Sequence, residues 1–240
     1  MNYIKGEAPS DNPPYHLDPE GMMGRANKEK IRNVWIDWLF HLSNLHNLNL
    51  KDISLDDFCE ENINENPVIS DIEYYKNFLD WGMDGEPNNL CDDVIKWLKK
   101  NIPSDSNPNK LCWGDSRLGN VLYQDYKATA LLDWEMSSIG DPVSDLAWGF
   151  AVDDASSLGL GIKKLEGSLD SNEAIDIWEE NTNLSSKNYK FYRIFSLLKF
   201  SIIMIRVAKK LMINNIIELE KDFYKNNYIS NFLEKEFKQI

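Results

Sequence analysis

Residues 188–212 are apolar on nearly every face of a helix, and this stretch limits the possible folds more than any other. A helix with almost no polar side has no face to give to water, so it must lie inside a helical body or inside a membrane. Its greasiest part, FSLLKFSIIMIRV, is interrupted by Lys199 and Arg206 well short of the roughly 20 apolar residues that a span requires. Other helices are therefore expected to surround it. Residues 28–48 supply one, because Ile31, Val34, Trp35, Trp38, Leu42 and Leu45 recur at the spacing of a single helical face. Shorter helices are predicted over 72–81 and 90–100, the second closed by Ile102, Pro103 and SDSNPN. Another opens at Asp141, a good N-cap with Pro142 at the first helical position, and Val143, Leu146, Ala147 and Phe150 form its apolar side.

Strand signals are confined to LCWGDSRLGNVLYQDYKATALLDWEM, residues 111–136. Strands are predicted over 120–123 and 128–132, with QDYK as the turn between them. Residues 1–26, punctuated by Pro9, Pro13, Pro14, Pro19, Gly6, Gly21 and Gly24, form an extended, turn-rich lead-in. No repeat and no convincing linker divides the chain, so residues 1–240 are expected to be one domain, mainly α with a small β-hairpin.

Composition narrows the classes of function. With 240 residues, 42% of them hydrophobic, the chain can bury a proper core. Its formal net charge of −13 argues against binding nucleic acid or anionic membrane, both of which reward a positive field. Cys59, Cys91 and Cys112 lie far apart without CxxC spacing, which points away from a disulfide framework or a zinc site and towards buried, unreactive thiols in a reducing compartment. MNYIKGEAPSD lacks the apolar core of a secretory signal, and a cytoplasmic protein is expected.

The hairpin region also concentrates oxygen-bearing side chains: Asp115, Asn120, Asp133 and Glu135. An Asp five residues before an Asn, on a loop entering a hairpin whose second strand ends in another Asp, is the arrangement that kinase-like enzymes use for phosphoryl transfer. There the first Asp orients the substrate hydroxyl and accepts its proton, while the Asn and the later Asp hold Mg²⁺ through oxygen. Those roles would fall here to Asp115, Asn120 and Asp133. Each residue alone reads more readily as a turn former or cap. The ordered series of loop, strand, turn, strand, DWE and capped helix carries the signal.

WGDSRLGNVLY and LLDWEMSSIGDPVSDLAW closely resemble the catalytic core of the aminoglycoside phosphotransferase and choline kinase-like superfamily, whose patterns are HGDxxxxN and a DxE or DxG metal motif followed by a DLA helix. GEAPSDNPPYH, LHNLNL and FYRIFSLLKFSIIMIRV extend the likeness over nearly the whole chain, and they look most like the phosphotransferase branch associated with acyl-CoA dehydrogenases. The resemblance implies a protein kinase-like C-terminal lobe that uses ATP and Mg²⁺ to phosphorylate a small-molecule hydroxyl. It also implies that Glu135 gives a second metal contact and that Asp145 braces the catalytic loop through its backbone. A hydroxyacyl-CoA-like metabolite and an aminoglycoside are the two acceptors to weigh.

Two departures stand out. Trp113 occupies the position where many relatives have His. The glycine-rich loop, strand lysine and helix glutamate of an N-terminal β-rich lobe are not found, and Met1 falls about where the last strand of that lobe would end. The expectation is a C-terminal lobe alone, with 1–26 as hinge and lead-in, inactive without an N-terminal lobe that another chain could provide. The alternative is a non-catalytic kinase-like module that binds a ligand or partner. His16, His41 and His46 lack metal spacing and read as structural or polar-face residues, Asp141 reads as a cap, and Trp134 and Trp148 read as core. Arg117, inside the loop, suits either a phosphate or an ordinary ion pair.

Overall fold

The computed structural model describes residues 3–52, 67–214 and 220–240; Met1 and Cys59 lie outside them. Among the described residues are seven α-helices and four short strands. Helix α1 (Lys28–His46) starts where the Asn27 side chain accepts the Lys30 amide. Helices α2 (Pro67–Met83) and α3 (Asn89–Lys100) follow, the latter capped by Asn88. Strands β1 (Lys110–Cys112), β2 (Val121–Gln124), β3 (Lys127–Leu131) and β4 (Ser138–Gly140) precede α4 (Val143–Ala155). Helix α4 begins one residue later than the sequence suggests: Pro142 is the cap residue and Asp141 Oδ1 accepts the Val143 amide. Helices α5 (Ser171–Thr182), α6 (Tyr189–Ile213) and α7 (Tyr228–Phe237) complete the chain.

As its composition demands, α6 is enclosed, packing against α2, α3, α4 and α7. No described helix is long and apolar enough to cross a membrane. Opposite it, Trp35 of α1 stacks on Phe150 of α4 with ring centroids 5.1 Å apart, and Trp38 meets both rings edge-on. This contact needs a bare backbone at Gly149, where a Cβ would stand 2.7 Å from the Trp38 ring and 2.9 Å from the Ser116 carbonyl.

The four strands position the site by nesting. Both pairs are antiparallel, β2 with β3 inside and β1 with β4 outside, with Cys112 opposite Ser138. Closing both pairs forces residues 113–120 and 132–137 to face one another as two adjacent loops. The inner turn is tight because Asp125 and Tyr126 both adopt left-handed backbone angles (φ 50° and 64°), which match the twist of a two-residue hairpin.

The lead-in is strapped across this arrangement. Glu7 and Tyr123 exchange both backbone hydrogen bonds (2.8 and 2.9 Å), adding a bridge to β2. Further along, Asp11 pairs with Arg117, and Tyr15 and His16 both donate to Asp153 of α4. The His16 ring is held as the Nε2–H tautomer, because its Nδ1 accepts the Leu165 amide at 3.2 Å.

Candidate active site

The loop after β1 turns at Gly114, whose φ of +89° is open to glycine, and a Cβ there would fall 2.0 Å from the Met136 carbonyl oxygen. The turn is held from below by Asp145 on α4. Its Oδ2 accepts the Trp113 amide at 2.6 Å and its Oδ1 the Gly114 amide at 2.8 Å. Ser116 donates its hydroxyl to the Asp145 carbonyl (2.6 Å), and the Trp38 indole donates to the Ser116 carbonyl (3.0 Å). Asp145 therefore braces the loop backbone, as the resemblance implied. His46 is buried behind it, and His41 sits at the surface near Asp37.

Asp115 follows this fixed turn, with its side chain 14% exposed and so within reach of a ligand. The Trp148 indole donates to Oδ1 at 2.6 Å, and the Asn120 amide donates to Oδ2 at 2.7 Å. Arg117 Nε reaches both oxygens, at 3.2 and 3.0 Å, and its other end pairs with Asp11. Burial on its own would lower the Arg117 pKa, but Asp115 and Asp11 outweigh it and raise the value. Arg117 is thus shared between two carboxylates rather than left free for a phosphate.

Asn120 ends the short 3-10 turn Leu118–Asn120 and is buried. Its amide nitrogen is spent on Asp115, and none of the hydrogen bonds among the described residues uses its Oδ1. The backbone joins it to the facing loop, where the Leu132 amide donates to the Asn120 carbonyl at 2.8 Å. The next residue, Asp133, is left-handed (φ 58°) and exposed, and Glu135 is exposed as well. Among the described residues neither carboxylate takes part in a hydrogen bond or ion pair, whereas Asp115 and Asp145 are fully engaged.

Asp115, Asp133 and Glu135 line one cleft of about 570 Å³. Its other walls are aromatic and aliphatic: Tyr74 and Phe78 from α2, Trp148 from α4, Phe200 and Ile203 from α6. Asp153 also borders it, but its carboxylate is occupied by Tyr15, His16 and Lys164. No cluster of three or more His, Cys, Asp or Glu among the described residues converges as a ready-made metal cage. The available donor set is an amide oxygen and two unpaired carboxylates, which suits a hard cation that completes its shell with water or phosphate.

Sequence reasoning placed Asp115, Asn120, Asp133 and Glu135 together; the structure brings Asp115, Asp133 and Glu135 to one cleft, while Asn120 is buried and hydrogen-bonded to Asp115. It placed Trp134 in the core, whereas the ring is 38% exposed and leans on Trp113 at 5.8 Å, because the left-handed turn at Asp133 throws the next side chain outward. Trp148 is buried as expected, but its hydrogen bond to Asp115 was not foreseen. A buried indole N–H must find an acceptor, and that need was the available clue. Cys91 and Cys112 are free and buried; burial pushes the Cys91 thiol up to about 12 and Cys112 well above the ordinary range, so both are poor nucleophiles.

Comparison with known proteins gives consistent results. The model of the phosphotransferase enzyme family matches residues 3–172. Acyl-CoA dehydrogenase family member 11 of Homo sapiens is 45% identical over 56 residues, covering 22% of this chain and 7% of that much longer protein. A crystal structure described as an aminoglycoside phosphotransferase from Ralstonia eutropha superposes with a TM-score of 0.74 at 17% identity, covering 99% of this chain and 72% of that one. Choline kinase from Cryptosporidium parvum superposes with a TM-score of 0.62 at 13% identity, covering 99% and 69%. At these identities the solved structures speak for the fold.

Proposed function

This chain belongs to the phosphotransferase enzyme family, and from that premise we propose that it is an ATP- and Mg²⁺-dependent kinase lobe acting on the hydroxyl of a small molecule. The observation that carries the reading is the single cleft shared by a braced Asp115 and the unpaired carboxylates of Asp133 and Glu135. Asp115 orients the acceptor hydroxyl and takes its proton as the oxygen attacks. Asn120 Oδ1, Asp133 and Glu135 would hold the cation. When bound, Mg²⁺ neutralises charge on the nucleotide phosphates. A β-rich lobe that cradles those phosphates completes the assembly.

The walls favour one acceptor over the other. A polycationic aminoglycoside needs free carboxylates, yet Asp11, Asp115 and Asp153 are already paired, and the two unpaired ones, Asp133 and Glu135, are assigned here to the cation. Tyr74, Phe78, Phe200 and Ile203 instead offer apolar surface to the body of an acyl-like acceptor, in keeping with the acyl-CoA chemistry in the names of the relatives.

One observation favours the alternative, a non-catalytic binding module. Three side chains already donate to both oxygens of Asp115, so a hydroxyl can be received only if Arg117 yields its place. The deciding experiment is single-turnover phosphate transfer with the phosphate-cradling lobe supplied. Asp115→Asn is expected to lower the rate by about 10²–10⁴ with nucleotide affinity nearly unchanged, the usual worth of a positioned general base. Asp133→Asn is expected to weaken Mg²⁺-nucleotide binding as well as the rate. Small and equal effects of both would leave the binding module standing.

A further inference from the structure

We propose that Trp148 is a positioning residue whose indole N–H holds the Asp115 carboxylate facing the cleft. Its effect on turnover rests on the kinase reading above; the contact itself does not.

Three donors touch Asp115, and two of them, Arg117 and Asn120, belong to the same loop. Asn120 moves with the carboxylate, and Arg117 is tied beyond the loop to Asp11 of the lead-in, so neither fixes it against the helical body. Trp148 is different, since it lies 33 positions away on α4 and is only 3% exposed. Its indole has one donor in one direction, and that donor meets Oδ1 at 2.6 Å while Asn120 meets Oδ2 at 2.7 Å. Separate donors on separate oxygens, one of them anchored in a helix, oppose rotation of the carboxylate.

The indole is itself held. Phe200 meets its ring at 6.2 Å, and the Lys199 ammonium stands 5.0 Å from the ring centroid. A cation over the ring draws electron density from it and makes the N–H a stronger donor. Helix α4 also carries Asp145, which fixes the Trp113 and Gly114 amides. One helix thus sets both the backbone of the loop and the direction of its carboxylate.

The test separates the N–H from the bulk of the ring. Trp148→Phe removes the donor and some volume, while incorporation of β-(3-benzothienyl)alanine at position 148 removes the donor and keeps the shape. Both are expected to lower kcat about ten- to a hundredfold, the scale of a misdirected reacting group, with acceptor KM and nucleotide affinity within about twofold. A benzothienyl variant with wild-type kcat would show that the ring only packs, and so overturn the proposal. NMR supplies a readout free of turnover: the Trp148 indole N–H resonance, assigned by its loss in Trp148→Phe, should move upfield in Asp115→Ala. An unmoved resonance overturns the contact. If the wild type has no turnover even with the phosphate-cradling lobe supplied, the kinase reading fails, and the indole resonance still decides whether Trp148 holds Asp115.

Discussion

The Nε2 of His46 lies 3.1 Å from Oδ2 of Asp145, 99 positions further along the chain. The Trp178 indole donates to the Nδ1 of the same ring at 2.9 Å, so the ring proton must be on Nε2 and pointed at the carboxylate. A histidine at the end of α1 therefore links α5 to the aspartate that braces the loop carrying Asp115. Both residues are almost fully buried. Replacing His46 with Phe leaves an indole N–H without an acceptor and a carboxylate oxygen short of one donor. We expect a loss of about 2–4 kcal/mol in urea unfolding. A loss well below 1 kcal/mol would show that water replaces the ring.

Two glycines with nearly the same backbone angle offer a controlled comparison. Gly85 (φ +86°) faces open space, whereas Gly114 (φ +89°) lies against the Met136 carbonyl. Gly85→Ala should cost only the left-handed strain, about 1 kcal/mol. Gly114→Ala adds a clash with backbone and should cost about 3 kcal/mol or more, or leave the chain unfolded. Equal melting temperatures for the two variants would contradict the close approach of the facing loops.

Asp153 gives the acid limb of stability. Burial by itself would raise its pKa, but the His16 hydrogen bond and the Lys164 ammonium outweigh burial and hold the carboxyl below its ordinary value. A depressed folded-state pKa contributes stability that is present above the unfolded value, about 3.9, and is lost as pH falls through the folded one. Unfolding free energy measured from pH 6 downward should fall most steeply below about pH 4, and Asp153→Asn should flatten that part of the curve. An unchanged acid limb would place the titration elsewhere.

Metal affinity follows from the donor set. With an amide oxygen and two carboxylates to offer, the protein without nucleotide should bind Mg²⁺ weakly, with Kd about millimolar or worse, since Mg²⁺ keeps its waters and relies on substrate phosphates. Calorimetry should show binding strengthen with an ATP analogue and weaken again in Asp133→Ala. Tight Mg²⁺ binding that survives Asp133→Ala would remove Asp133 from the metal site.

The parts of this molecule that could be read from the sequence are those with a repeated physical signature. Helices α1 and α6 declare themselves by apolar spacing over many turns, and the hairpin by a polar turn between two apolar runs. Helices α5 and α7 have short apolar sides, and their clearest marks were caps, Asp170 and the Asn227–Ser230 capping box. Strands β1 and β4 span three residues each, too few to show alternation, and exist because the outer pairing closes around the hairpin. The proposed site residues stand in the sequence as an ordered motif. The partners that orient them, Trp148, Arg117 and Asp11, were not, because a hydrogen bond between distant positions leaves no periodic trace.

The lead-in is fastened at Glu7, Asp11 and Tyr15, each to a different part of the candidate site: strand β2, the Arg117 that touches Asp115, and helix α4. Such a segment behaves less like a tether than like a transmission rod. A pull along it cannot be absorbed by one loose joint. It reaches the hairpin, the partner of the proposed base and the helix that aims it at the same time, so the rate of this site should respond to mechanical tension at its amino-terminal edge.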